Sequence, residues 1–184
     1  MAKHTIMTNR APVLTLWAAV VAERLGFDRD AALSLGKAMA GLTAQSKGRH
    51  LGIYKPAKRA GDEPAKKAGL GEEFWVDLCG RPIPAKRTNS GVRAVVRDKP
   101  VDPDAAARYL EQKLGDALHS VREAMTELAK AFDRGELADR AFALYEQFRP
   151  AIPEGRRGWG AQGQLDLDLI RSLSRRGTSS ARKG

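Results

Sequence analysis

Cysteine and histidine are scarce in this chain of 184 residues. Cys79 is the single cysteine, and the histidines are His4, His50 and His119. One cysteine cannot close a disulfide within the chain, and these residues form none of the closely spaced pairs that hold zinc. We therefore predict no metal and no cofactor. A chain without disulfides is typical of the cytoplasm, and we expect a cytoplasmic protein, nucleoid-associated if the source is bacterial.

Long apolar runs are also absent. No stretch reaches the roughly 18 apolar residues that a membrane-spanning helix needs. Apolar residues nevertheless make up 42% of the chain and charged residues 29%, which is typical of a globular protein. The composition predicts a packed core and no membrane partner.

Acidic residues are fewer than basic ones, and the imbalance is concentrated in blocks. The chain has 22 Asp and Glu against 32 Lys and Arg, a net charge of +10. Residues 28–60 hold seven basic and two acidic residues, residues 74–99 six and two, and residues 149–184 eight and three. Residues 100–148 are acidic, with six basic and ten acidic residues. Such blocks predict a polyanionic partner, most often nucleic acid.

The first part of the chain predicts a helical hairpin. Apolar residues recur at helical spacing from Pro12 to Leu25, and Gly26 ends this run. A second helix can begin at Asp28 or Asp30 and extend towards Gly48. The connection is short, so the two helices should pack against each other.

This corner resembles the helix-turn-helix of bacterial regulators over about twenty residues. The residues that carry the likeness are Val21, Ala22, Leu25, Gly26, Phe27, Ala32 and Leu35. The resemblance implies a second helix that reads DNA bases, although Asp28 and Asp30 at its start would repel phosphate. The same spacing is similar to that of a ubiquitin-associated module, and it also fits a purely structural corner.

The remaining patterns complete a mainly α fold. Phe74 to Leu78 and Val92 to Val96 predict the strands of a small central β-ribbon. Helical spacing from Pro103 to about Phe132, and from Leu137 to Phe148, predicts a C-terminal helical hairpin, and a short helix should follow around Leu165 to Leu173. We assign residues 1–54 to the N-terminal hairpin with its basic loop, 55–73 to a linker, 74–174 to the ribbon and C-terminal hairpin in one core with 1–54, and 175–184 to a disordered basic tail.

Three groups of residues are candidates for contact with nucleic acid. In the loop after the second helix, small residues let the backbone approach a phosphate, cations neutralise it, and Tyr54 offers a ring for stacking. Cations on the ribbon could contact a groove or backbone, or they could guard a sheet edge against aggregation. The candidates are Lys47, Arg49, His50, Tyr54, Lys55, Lys58 and Arg59 in the loop, Arg81, Lys86, Arg87, Arg93 and Arg97 in the ribbon, and Arg156 and Arg157 beside a glycine-rich segment.

No set of residues predicts catalysis. The segment from Gly158 to Gly163 has the GxGxxG spacing, but it lacks the preceding strand and the later acid of a dinucleotide site. We expect it to be a turn around a core residue, Trp159. Asp166 and Asp168 fit helix-start acids better than the metal-binding carboxylates of a nuclease. We therefore predict no catalytic residues.

The sequence thus favours a non-enzymatic nucleic-acid-binding protein. We expect it to bind double-stranded DNA through backbone phosphates in a regulatory or nucleoid-type role, with DNA favoured over RNA and a homodimer possible. Two alternatives remain open: a helical protein-interaction module or adaptor, and an RNA- or ribosome-associated protein.

Overall fold

The computed structural model describes residues 5–45, 71–96, 99–151 and 162–183. These residues confirm a mainly helical fold with small antiparallel sheets. In chain order the elements are β1 (Thr5–Asn9), α1 (Arg10–Arg24), α2 (Arg29–Gln45), β2 (Glu73–Leu78), β3 (Arg81–Thr88), β4 (Gly91–Val96), β5 (Lys99–Pro100), α3 (Pro103–Leu114), α4 (Leu118–Lys130), α5 (Arg134–Phe148), β6 (Gln162–Asp166) and α6 (Leu167–Lys183). Among the described helices, none combines the length and the apolarity needed to cross a membrane.

Helix α1 lies at the centre of the fold. Every residue from Pro12 to Ala22 is buried, so the helix is enclosed on all sides. Helices α2, α3, α4 and α5 all pack against it. The Trp17 indole N–H donates to the Ala141 carbonyl of α5 at 2.8 Å, and the ring lies edge-on to Phe148 with centroids 5.3 Å apart. The core is therefore built around α1.

The structure confirms the N-terminal hairpin and its turn. Gly26 takes a φ of +117°, a conformation that favours glycine. The Asp28 carboxylate then accepts a hydrogen bond from the Ala31 backbone N–H at 2.7 Å, which caps the start of α2. At Gly36, an added Cβ would lie 2.6 Å from the Thr15 carbonyl oxygen. The lack of a side chain there lets the two helices approach closely.

The predicted ribbon is one part of a four-stranded sheet with the order β2-β3-β4-β5. The sequence did not predict β3, because Pro82 and Pro84 lie within it. Proline is tolerated where its missing N–H is not needed by a neighbouring strand. β4 pairs with β3 only over Ala85 to Thr88, so both prolines precede that ladder and have a partner strand only in β2.

The C-terminal helices differ from the prediction in two ways. The single helix expected from Pro103 to Phe132 is divided at Gly115, which has a φ of +53° and begins a short 3-10 turn. The predicted C-terminal hairpin is also not a pair of mutually packed helices. Helix α4 packs on α1 and α6, and α5 packs on α1, more closely than α4 and α5 pack on each other. The apolar surface of α1 gives each of them a separate docking face.

The last elements also differ from the sequence interpretation. The short helix expected at residues 165–173 is divided into strand β6 and helix α6, since β6 pairs antiparallel with β1. The expected disordered tail at 175–184 is helical as far as Lys183. Adding residues to an existing helix costs far less than nucleating one, so α6 can extend beyond its docked part.

Candidate nucleic-acid interface

Four of the candidate ribbon cations lie on β3 and β4. In the sheet register, Lys86 stands between Glu73 on β2 and Arg93 on β4, and Arg87 is opposite Val92. Arg81 is opposite Leu78, at the other end of β3. Six residues of strand separate Arg81 from Arg87, which is roughly 20 Å. The structure therefore gathers Lys86, Arg87 and Arg93 at the β3–β4 turn and leaves Arg81 apart.

Arg93 is enclosed within the fold. It is 7% exposed, and its guanidinium donates to the carbonyls of Val92 at 2.8 Å and Ser90 at 3.1 Å. One of its terminal nitrogens lies 4.0 Å from a carboxylate oxygen of Asp30. These contacts connect the β3–β4 turn to the start of α2, which gives Arg93 a structural role.

Arg81 and Lys86 lie on the partly exposed surface of the sheet. Burial lowers the pKa of the Arg81 guanidinium, because the charged form loses solvation there.

The loop candidates at positions 47, 49, 50, 54, 55, 58 and 59 lie outside the described residues, as do Arg97, Arg156 and Arg157. The ends of the loop are described. The chain leaves α2 at Gln45, and the Gly71 backbone N–H donates to the Arg87 carbonyl at 2.7 Å. The chain therefore returns to the fold directly beside Arg87. This contact places one end of the basic segment next to the cations of the β3–β4 turn.

The boundaries of the structure also sharpen the distribution of charge. Up to residue 174, the described residues contain 17 Lys and Arg and 18 Asp and Glu, a net charge of −1. Residues 46–70 carry seven basic and two acidic residues, and residues 175–183 carry four basic and none acidic. The positive charge of the protein therefore lies mainly in these two segments, while the scaffold is close to neutral.

Helix α2 is a core helix. Residues 31–36 and 38–40 are buried, and α2 is packed by α1, α3 and β4. The Lys37 ammonium lies 4.2 Å from the centre of the Tyr109 ring, and partial burial lowers its pKa. The exposed residues at the start of α2 are Asp28, Arg29 and Asp30. The helical corner that resembles a helix-turn-helix is present, but its second helix is enclosed by the rest of the fold.

The residues considered for catalysis have structural surroundings. The Asp166 carboxylate accepts from the backbone N–H groups of Asp168 at 2.9 Å and Leu169 at 3.3 Å, so it caps α6. Burial raises the pKa of the Cys79 thiol to about 12, which disfavours a reactive thiolate. The His119 side chain is 87% exposed on α4. Within the described ranges, no three His, Cys, Asp or Glu side chains are grouped so that they could hold a metal ion.

Comparisons with protein-family models, with curated proteins and with solved structures find no match for this chain. The argument for function therefore depends on the charge distribution and the geometry given above.

Proposed function

We propose that this protein binds nucleic acid without catalysing a reaction, and that its basic segment at residues 46–59 neutralises the phosphates of double-stranded DNA. The observation that carries the proposal is the contrast between a scaffold of net charge −1 and a neighbouring segment, residues 46–70, with seven basic residues. Cations needed only for solubility have no reason to be concentrated in this way. A surface that follows a phosphate backbone does.

The enclosed position of α2 favours contact with phosphates over the reading of bases. A recognition helix must place its side chains in the major groove. Most of α2 is buried, and its accessible start carries Asp28 and Asp30, which phosphate would repel. Lys86 and Arg87 stand beside Gly71, where the basic segment rejoins the fold, and they extend the cationic surface. We therefore expect binding with little sequence preference.

A salt titration tests the proposal. Fluorescence anisotropy of a labelled 20-base-pair duplex should show binding at low micromolar protein in about 50 mM salt, with a log–log slope of about −0.9 for each phosphate neutralised. Replacing Lys47, Arg49, Lys55, Lys58 and Arg59 with glutamine should weaken binding at least tenfold and make the slope shallower. No binding at 50 mM salt, or a flat salt response, would refute the proposal.

A control variant removes the same amount of charge from the scaffold. It replaces five exposed cations of α3, α4 and α5: Arg108, Lys113, Lys130, Arg134 and Arg140. If the basic segment carries the contact, this variant should keep most of the affinity. Equal losses in the two variants would show attraction to total charge instead. Competition with duplex RNA and with single strands establishes which nucleic acid is preferred.

A further inference from the structure

Two arginines that are distant in sequence meet at the start of α1. The Arg10 Nε–H donates to the Pro150 carbonyl at 3.1 Å, next to Arg149 in the chain. The Tyr145 hydroxyl donates to the Arg10 carbonyl at 3.3 Å, and the Arg149 backbone N–H donates to the Tyr145 carbonyl at 2.7 Å. Arg10, Tyr145 and Arg149 thus form one cluster where α1 begins and α5 ends.

The cluster has an excess of positive charge. Among the described residues, neither Arg10 nor Arg149 forms an ion pair with a carboxylate, and the first turn of α1 holds no acid. The pKa of Arg10 is lowered, first by burial and then by the charge of Arg149. Glu146 is the nearby acid, and its charge acts on the Tyr145 hydroxyl less than the charge of either arginine does.

Arg10 also has donors to spare. A guanidinium has five N–H groups, and the described residues supply an acceptor for one of those on Arg10. Two guanidiniums with unused donors and mutual repulsion match an anion with several acceptor oxygens, which would remove the repulsion and accept the hydrogen bonds. Phosphate has this chemistry, and arginine binds it through paired N–H groups.

We propose that Arg10 and Arg149 form a phosphate-binding site at the junction of α1 and α5. This inference rests on the proposed function for its natural ligand, a backbone phosphate of the bound nucleic acid. The site would then be a contact point on the scaffold itself, separate from the basic segment. A small phosphorylated molecule is the other source of the same group, and the experiment distinguishes the two.

The first part of the experiment uses inorganic phosphate alone. In ¹⁵N-labelled protein, the Arg10 Nε–Hε signal should shift saturably with sodium phosphate and should not shift with sodium chloride of equal ionic strength. The shift should be lost in R149Q, which leaves the fold intact because Arg149 is exposed on the surface. An equal response to both salts, or an unchanged response in R149Q, overturns the site.

The second part uses the duplex. R149Q should weaken binding about fivefold and reduce the salt slope by about 0.9, the loss of one phosphate contact. R134Q, at the exposed opposite end of α5, should change the affinity less than twofold, and E146Q should strengthen it by a similar factor because it removes a nearby negative charge. Equal losses in R149Q and R134Q contradict a backbone phosphate as the ligand.

The two proposals fail in different ways. If wild-type protein does not bind the duplex, the proposed function fails and the inorganic phosphate titration alone decides the arginine site. A saturable phosphate response without duplex binding would assign the site to a small phosphorylated ligand.

Discussion

The N-terminal and C-terminal helices of this protein are packed on different principles. Helices α1 and α2 are packed directly on each other, and a glycine lets their backbones approach. The C-terminal helices α4 and α5 instead dock separately on α1, and their other faces carry exposed charges. One pair depends on close mutual fit, and the other depends on a shared partner.

This difference explains why only one of the predicted hairpins forms. An amphipathic helix has one apolar stripe to bury, and it buries that stripe against the largest apolar surface within reach. Helix α1 is apolar all round, so it can cover several stripes at once. Two neighbouring amphipathic helices therefore need not pair, even when the turn between them is short.

The largest expected effect comes from Gly36→Ala, which acts on the mutual fit of α1 and α2. The new Cβ would lie 2.6 Å from the Thr15 carbonyl oxygen and 2.9 Å from the Ala19 nitrogen, both backbone atoms that can move only if the helices separate. We expect a loss of about 2 to 3 kcal/mol in the free energy of unfolding, measured by urea denaturation.

Gly41→Ala is the matched control in the same helix. A Cβ at Gly41 would meet nothing within 4 Å, so the substitution should stabilise α2 by up to about 1 kcal/mol through helix propensity. If both alanine variants are equally stable, the close approach at Gly36 does not contribute to the pairing of the helices.

A second prediction addresses the docking of α5 on α1. Trp17→Phe removes the indole N–H that donates to Ala141 and leaves a cavity beside Phe148. We expect a loss of about 2 kcal/mol in unfolding free energy and a weaker near-ultraviolet circular dichroism signal. A stability change within about 0.5 kcal/mol of wild type would show that α5 does not depend on this contact.

Local sequence signals predicted the N-terminal hairpin well. Gly26 and Asp28 determine the turn and the start of α2 through backbone conformation and capping, and both act within a few residues. Strand β6 was missed because its partner is β1, about 155 residues earlier, and Gln162 to Asp166 has little apolar periodicity of its own. Pairing between distant segments leaves no local pattern to recognise.

The candidate site shows the same limit. Charge counts identified the basic segment, but they could not show that Arg93 is buried against Ser90 and Asp30. The meeting of Arg10 with Arg149 was equally beyond sequence reasoning, because 139 residues separate them and only the packing of α5 on α1 joins them. Net charge predicts a class of partner, and the fold decides which cations can face it.

The smallest expected effect concerns the C-terminal helices, whose ends rely on local capping. The Asp133 carboxylate accepts from the Glu136 backbone N–H at 2.8 Å and caps α5. Asp133→Ala should cost about 1 kcal/mol in urea denaturation, whereas Asp139→Ala, at an exposed position within the same helix, should cost nothing or stabilise slightly. Both variants remove one acidic charge, so the difference between them isolates the cap. A helix that is docked along one face only has few other contacts at its first turn to replace that hydrogen bond, and an Asp133→Ala variant as stable as Asp139→Ala would show that docking on α1 is sufficient to hold α5.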